Sequence, residues 1–159
     1  VLERWQSLTL AVYPERAGRF IAGEPDRFRN PVGHLIRENL AILYDGVLSD
    51  APAEEMRRAL DPIVRVRAVQ DLPPSDAVGF VFLLKQALRE GAPGGEPALG
   101  VDPEELLRRI DRVALQAFDL YTQCRETIHD LRVREIRARV PRPLRSAAVG
   151  SAAPDGSTE

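Results

Sequence analysis

The stretch from Asp61 to Glu90, DPIVRVRAVQDLPPSDAVGFVFLLKQALRE, decides how this chain folds. Between Ala77 and Leu88 only Gly79, Lys85 and Gln86 interrupt an apolar run. A helix built from it has no broad polar face and belongs inside a bundle. Pro73-Pro74 stops the preceding element, Ser75 is a natural cap with Asp76 in the first turn, and Gly91 stands where a helix wants a left-handed residue. The spacing therefore predicts a central helix over 76–90. Upstream, Asp61-Pro62 reads as a cap followed by proline, but 63–69 alternates and is β-branched, so helix and strand compete. Helix is the better reading, because no second strand pattern exists to pair with it. This segment sets Arg65, Arg67, Gln70 and Asp71 beside the core, and polar groups so placed need partners or a ligand.

Moving outward, Ala53 to Leu60 carries Glu54 and Glu55 early and Arg57 and Arg58 late, the order a helix dipole favours, and reads as a short helix. Before it, Asn30-Pro31 caps and opens a long helix, with Val32, Leu35, Ile36, Leu40, Leu43, Tyr44 and Val47 in helical period to about Leu48. Leu2, Trp5, Leu8, Thr9 and Val12 predict a first helix ending near Tyr13-Pro14. Residues 15–29 read as a connection that pins Phe20, Ile21 and Phe28 on the core.

Downstream, GAPGGEPALG (91–100) is the clear internal loop. Asp102-Pro103-Glu104-Glu105 then opens a helical pattern with no breaker until Pro141. About 37 residues of helix span about 55 Å, more than one small domain needs. Its first half, Leu106 to Tyr121, reads as apolar nearly all round. Ala117, Tyr121, Cys124, Ile128 and Leu131 then follow a four-three-four-three stripe suited to an interface. The expectation is an all-α helical bundle over 1–140 with a long C-terminal helix, and a disordered polar tail over 141–159, which is rich in Ala, Ser, Gly and Pro.

Composition narrows the function. The net charge of -2 gives no global attraction to nucleic acid or anionic lipid, and no apolar run reaches the length of a bilayer span. The basic run Arg132, Arg134, Arg137, Arg139, Arg142 and Arg145 is better read as cations at a helix C-terminus than as a nucleic-acid patch. A single cysteine, Cys124, excludes an internal disulfide, and the N-terminus is not a signal peptide, so a cytoplasmic location is expected; the missing Met suggests residues upstream. With 21 Arg against one Lys, individual arginines carry little weight as signals.

Catalytic and metal-binding patterns are absent from the sequence. It has no phosphate-binding glycine loop, CxxC, HExxH or nucleophile elbow. A zinc site would need His34, His129, Cys124 and a carboxylate to converge, so neither metal nor cofactor is expected. His129-Asp130-Leu131-Arg132 resembles a phosphoacceptor box, but Val133-Arg134 replaces the expected proline. Asp111 and Asp119 are read as partners for Arg65 or Arg67, because a buried charge is costly unless paired. The resulting expectation is a polar cluster of Arg65, Arg67, Gln70, Asp71 and Asp111 or Asp119, closed by Ser75, at the mouth of the core.

Three segments, FRNPVGHLIRENLAILYDGVL, IVRVRAVQDLPPSDAVGFVFLLK and RIDRVALQAFDLYTQCRE, together resemble the RsbRD N-terminal domain family, the sensor-like module ahead of the STAS domain in some RsbT co-antagonists. The resemblance covers about residues 5–138. It implies an all-helical regulatory domain akin to the haem-free, globin-like sensor domains of RsbR proteins, with no enzymatic activity and no catalytic residues to transfer. The sequence shows no STAS domain, so stressosome assembly and anti-sigma control do not carry over. The functional expectation is a non-enzymatic signal-input or partner-binding domain of bacterial stress signalling. It is expected to form a homodimer through Tyr121, Cys124, Ile128 and Leu131, to meet a protein partner, and to have room for a small-molecule ligand. The rival is an accessory or scaffolding subunit of a redox or membrane-associated complex.

Overall fold

The computed structural model describes residues 1–11, 30–91 and 100–139, and every described element is helical. The expected connection at 15–29, the loop between 91 and 100 and the tail at 141–159 fall on residues outside these ranges, save Gly91 and Gly100.

Helix α1 (Leu2–Leu10) turns Trp5, Thr9 and Leu10 inward. Helix α2 (Pro31–Ser49) opens as its sequence dictates: the Asn30 side chain accepts a 2.9 Å bond from the Gly33 N–H, with Pro31 in the first turn. It closes on Asp50, which is left-handed at φ 56°. Its core face presents Ile36, Leu40, Leu43 and Val47.

Helix α3 (Ala53–Val69) departs from expectation, since it runs unbroken through Asp61-Pro62. Pro62 removes one N–H, the donor to the Arg58 carbonyl, at an exposed residue that water can reach. The compensation is a continuous buried face of Met56, Ala59, Leu60, Ile63, Val64, Arg67 and Ala68, which a break at Pro62 would split. The alternation at 63–69 is helix, not strand.

The predicted central helix over 76–90 is two helices. Helix α4 (Pro74–Val78) passes through a 3₁₀ turn at Gly79–Val81 into α5 (Leu83–Gly91). Ala77, Val78, Phe80 and Val81 are all buried, the last two within the tighter turn. The run is not sheathed on every side, because Phe82 is 47 % exposed. Ser75 is not the cap: Pro73 holds that position without a side-chain bond. Gly91 is the last residue of α5 and not left-handed; a Cβ there would meet Val1 Cγ2 at 2.9 Å, so close approach explains the glycine.

Helix α6 (Pro103–Arg139) is 37 residues long, and Asp102 Oδ2 accepts from the Glu105 N–H at 2.9 Å at its start. Its first half buries Leu106, Ile110, Val113, Ala114, Ala117, Leu120 and Tyr121. It is not apolar all round in the buried sense, since Leu107, Leu115 and Phe118 stand exposed on the other side. Helices α2 and α6 both pack most extensively on α3, which is thus the middle of the all-α bundle.

Three polar contacts fix the frame. The Trp5 indole donates to the Phe80 carbonyl at 2.7 Å, tying α1 to the 3₁₀ turn. Arg67 is fully buried and donates to the carbonyls of Asp76 (2.8 Å) and Thr9 (3.1 Å). Arg109 Nη1 donates to the carbonyls of Val47 (3.1 Å) and Leu48 (2.8 Å), placing a cation on the C-terminus of α2.

Candidate functional site

The stripe that leaves the core on α6 and the outer face of α3 meet in a surface groove of about 350 Å³. Four residues of α3, Arg57, Asp61, Arg65 and Val69, form one wall at a strict four-residue spacing, which sets them in a row along a helix. Leu120, Cys124, Ile128 and Leu131 of α6 form the apolar floor, with Gln123 and Thr127 at its rim. Exposure grows along the floor: Leu120 is buried, Cys124 and Ile128 are half-buried against the core, and Leu131 is 58 % exposed. Val69, at the end of the α3 wall, is 72 % exposed.

The wall is polar but largely satisfied. Arg65 Nε donates to Asp61 Oδ2 at 2.6 Å, and Arg57 Nη2 to Gln123 Oε1 at 3.1 Å. Burial pushes the Cys124 thiol above its ordinary value, an effect that nearby Arg65 and Arg57 oppose and Asp61 reinforces. A thiol so placed favours its neutral form and lines the floor of the groove.

A smaller cavity of about 140 Å³ lies where α2 hands over to α3, lined by Gly46, Asp50, Met56, Arg109 and Arg112 among others. Arg112 pairs with Asp50 at 2.8 Å and Arg109 with Glu105 at 3.1 Å. With each cation already matched, this corner reads as a clasp between α2 and α6.

The residues expected to form one polar cluster are distributed over the molecule. Arg65 and Arg67 are two positions apart on a helix and so point about 200° apart; Arg65 faces the groove and Arg67 the core. Gln70 and Asp71 sit at the exposed end of α3, where Asp71 is left-handed at φ 60° and pairs with Arg125 of α6. Asp111 pairs with Lys85 at 2.6 Å, Asp119 is exposed, and Ser75 is exposed within α4. On a helix two residues two apart do not share a face, so Arg65 and Arg67 cannot both serve one cluster.

Of the four expected interface residues, Cys124, Ile128 and Leu131 line the groove. Tyr121 is turned inward, its hydroxyl donating to the Leu72 carbonyl at 2.7 Å. Arg57, Asp61 and Val69 were missed. Their four-residue spacing with Arg65 was the available signal, hidden by the reading that ended a helix at Leu60. His34 pairs with Glu38 at 2.8 Å and His129 is exposed. Among the described residues no three His, Cys, Asp or Glu side chains group as metal ligands, and no helix is long and apolar enough to cross a membrane.

The sequence model of a protein family described as the RsbT co-antagonist protein rsbRD N-terminal domain matches residues 1–136. No curated protein and no solved structure matches the chain.

Proposed function

The chain belongs to the family of the RsbT co-antagonist protein rsbRD N-terminal domain, a family of regulatory signalling domains, and from that membership we propose that it is a non-enzymatic signal-input or partner-binding domain of a cytoplasmic stress-response pathway. It acts by contact: two copies associate through the groove between α3 and α6, and the contact is what a signal or a protein partner modulates.

The observation that carries this reading is the apolar stripe of α6, which continues past the body of the domain with its floor residues Cys124, Ile128 and Leu131 open to solvent in part. Apolar side chains at regular spacing on a helix that has outrun its own bundle are stabilised by a second apolar surface. A regulatory domain needs such a face, whereas a catalytic one needs convergent titratable groups, and the groove offers one thiol and a matched ion pair.

Sedimentation velocity tests it. The parent protein is expected to be dimeric at micromolar concentration, and Ile128→Glu with Leu131→Glu monomeric with an unchanged helical circular dichroism spectrum. A parent that stays monomeric at high micromolar concentration overturns the reading.

A further inference from the structure

The side of α6 turned away from the core carries a second apolar surface. Leu107, Leu115 and Phe118 are 41 %, 67 % and 51 % exposed. With Asp111 and Thr122 between and after them they recur at four-four-three-four spacing, which sets all five within about 80° of the helix circumference. Cys124, in the floor of the groove, follows Leu115 by nine residues and so points about 180° away from it. The two surfaces lie on opposite sides of one helix.

Phe82 widens this face beyond α6. Its ring is half exposed, and the Lys85 ammonium that lies 5.5 Å from the ring centroid also pairs with Asp111 at 2.6 Å. Lys85 therefore ties the ring to the middle of the stripe, with Leu107 and Leu115 about one turn to either side of Asp111. Large apolar side chains, two of them aromatic, around an ion pair that is already satisfied have the make-up of the centre of a protein contact.

The charges at the border say what covers it. The cations are matched within the chain: Lys85 by Asp111, Arg108 by Glu105 at 3.0 Å, and Arg112 by Asp50 at 2.8 Å. Two acids are not. Asp119 and Glu126 are exposed and form no ion pair among the described residues. The cause is in the sequence, which sets no Lys or Arg three or four positions from either of them. Both lie within about 40° of Leu115 around the helix, so the acids and the apolar stripe share one face. A second copy whose patch covered this one would bring the same two acids and no unmatched cation at its border, and like charges opposed at a contact are unfavourable.

We propose that the outer face of α6, together with Phe82, docks a basic amphipathic helix of another protein. Apolar side chains of that helix, three and four residues apart, seat on Leu107, Leu115, Phe118 and Phe82, and its Lys or Arg residues answer Asp119 and Glu126. The groove on the opposite side of α6 stays open while this face is occupied.

Fluorescence anisotropy with two synthetic peptides tests this. Each is about 20 residues long, enough helix to run the roughly 28 Å from Leu107 to Glu126. One sets Leu against Lys in helical period, and the other replaces every Lys with Glu. The parent is expected to bind the Leu-Lys peptide and to bind the Leu-Glu peptide about tenfold more weakly or less. Asp119→Lys with Glu126→Lys should reverse that preference. Leu115→Ser with Phe118→Ser, its circular dichroism spectrum matching the parent's, should weaken the Leu-Lys peptide by about tenfold or more. Two control pairs should bind as the parent does: Glu54→Lys with Glu55→Lys, which reverses as much charge at the exposed start of α3, and Ile128→Ser with Leu131→Ser, which alters the groove. Equal binding of the two peptides, binding of neither, or an equal loss in either control pair overturns the proposal. A parent dimer that Leu115→Ser with Phe118→Ser converts to monomer in sedimentation gives the face to a second copy and overturns it too.

Discussion

The guanidinium carbon of Arg67 lies 4.8 Å from the centroid of the Phe80 ring, deep in the bundle with no solvent exposure. The stacking joins α3 to the 3₁₀ turn, and the same side chain holds the last turn of α1 and the start of α4 through their carbonyl groups. The buried cation is offset by the Phe80 ring and by the Thr9 and Asp76 carbonyls that accept from it.

Arg67→Ala is therefore expected to cost about 3 kcal/mol or more, since it removes the donor to the buried Thr9 carbonyl and to the part-buried Asp76 carbonyl and opens a cavity. Arg65→Ala, two residues away on the solvent side, should leave the urea midpoint unchanged. Equal midpoints for the two variants would contradict the placement of Arg67.

Tyr121→Phe removes one hydroxyl from the bond to the Leu72 carbonyl and should lower stability by about 1 kcal/mol. Because this tyrosine faces its own protomer, the variant's sedimentation should match the parent's. A variant with parent stability and weakened dimerisation would move Tyr121 back into the interface.

Trp5, the chain's single tryptophan, is fully buried and hydrogen-bonded to the Phe80 carbonyl. Its emission should be blue-shifted and shielded from acrylamide in the native state. Trp5→Phe keeps most of the packing but removes the indole donor to that carbonyl, at a cost of about 1 kcal/mol in thermal or urea unfolding.

Acid should weaken two surface clasps. A hydrogen bond from Arg4 holds the Glu90 carboxyl below its ordinary value, and one from Arg109 does the same for Glu105. Carboxylates with lowered folded values stabilise the fold fully above about pH 4.5, their ordinary value, and lose that contribution as pH falls through the lowered one. Glu105→Gln should thus flatten the decline of the melting midpoint below pH 4.5 and lower the midpoint modestly at pH 7. A decline as steep as the parent's would remove Glu105 from the acid response.

What the sequence showed depended on whether the cause was local. Asn30-Pro31 and Asp102-Pro103 start helices through contacts within four residues, and both are found where their chemistry predicts. Nothing local reveals that α3 continues through Pro62. A helix-interior proline costs about 3 kcal/mol, and only the burial of Leu60, Ile63 and Val64 against other elements offsets it. The 3₁₀ turn at Gly79–Val81 has the same kind of origin, since both Phe80 and Val81 are buried within it. The floor of the groove was legible because it is one helix with one spacing. The wall was not, because its row from Arg57 to Val69 exists only if the proline is overruled.

The long helix also has a mechanical consequence. The bundle holds it as far as Ile128, which still packs on the core, and the remainder to Arg139 extends about 17 Å beyond. A tilt of about 5° where Ile128 leaves the core carries the far end through roughly 1.5 Å, a shift on the scale of those that repack subunit interfaces. Any rotation of the helix at that point is therefore felt most at Arg139 and least in the body of the domain.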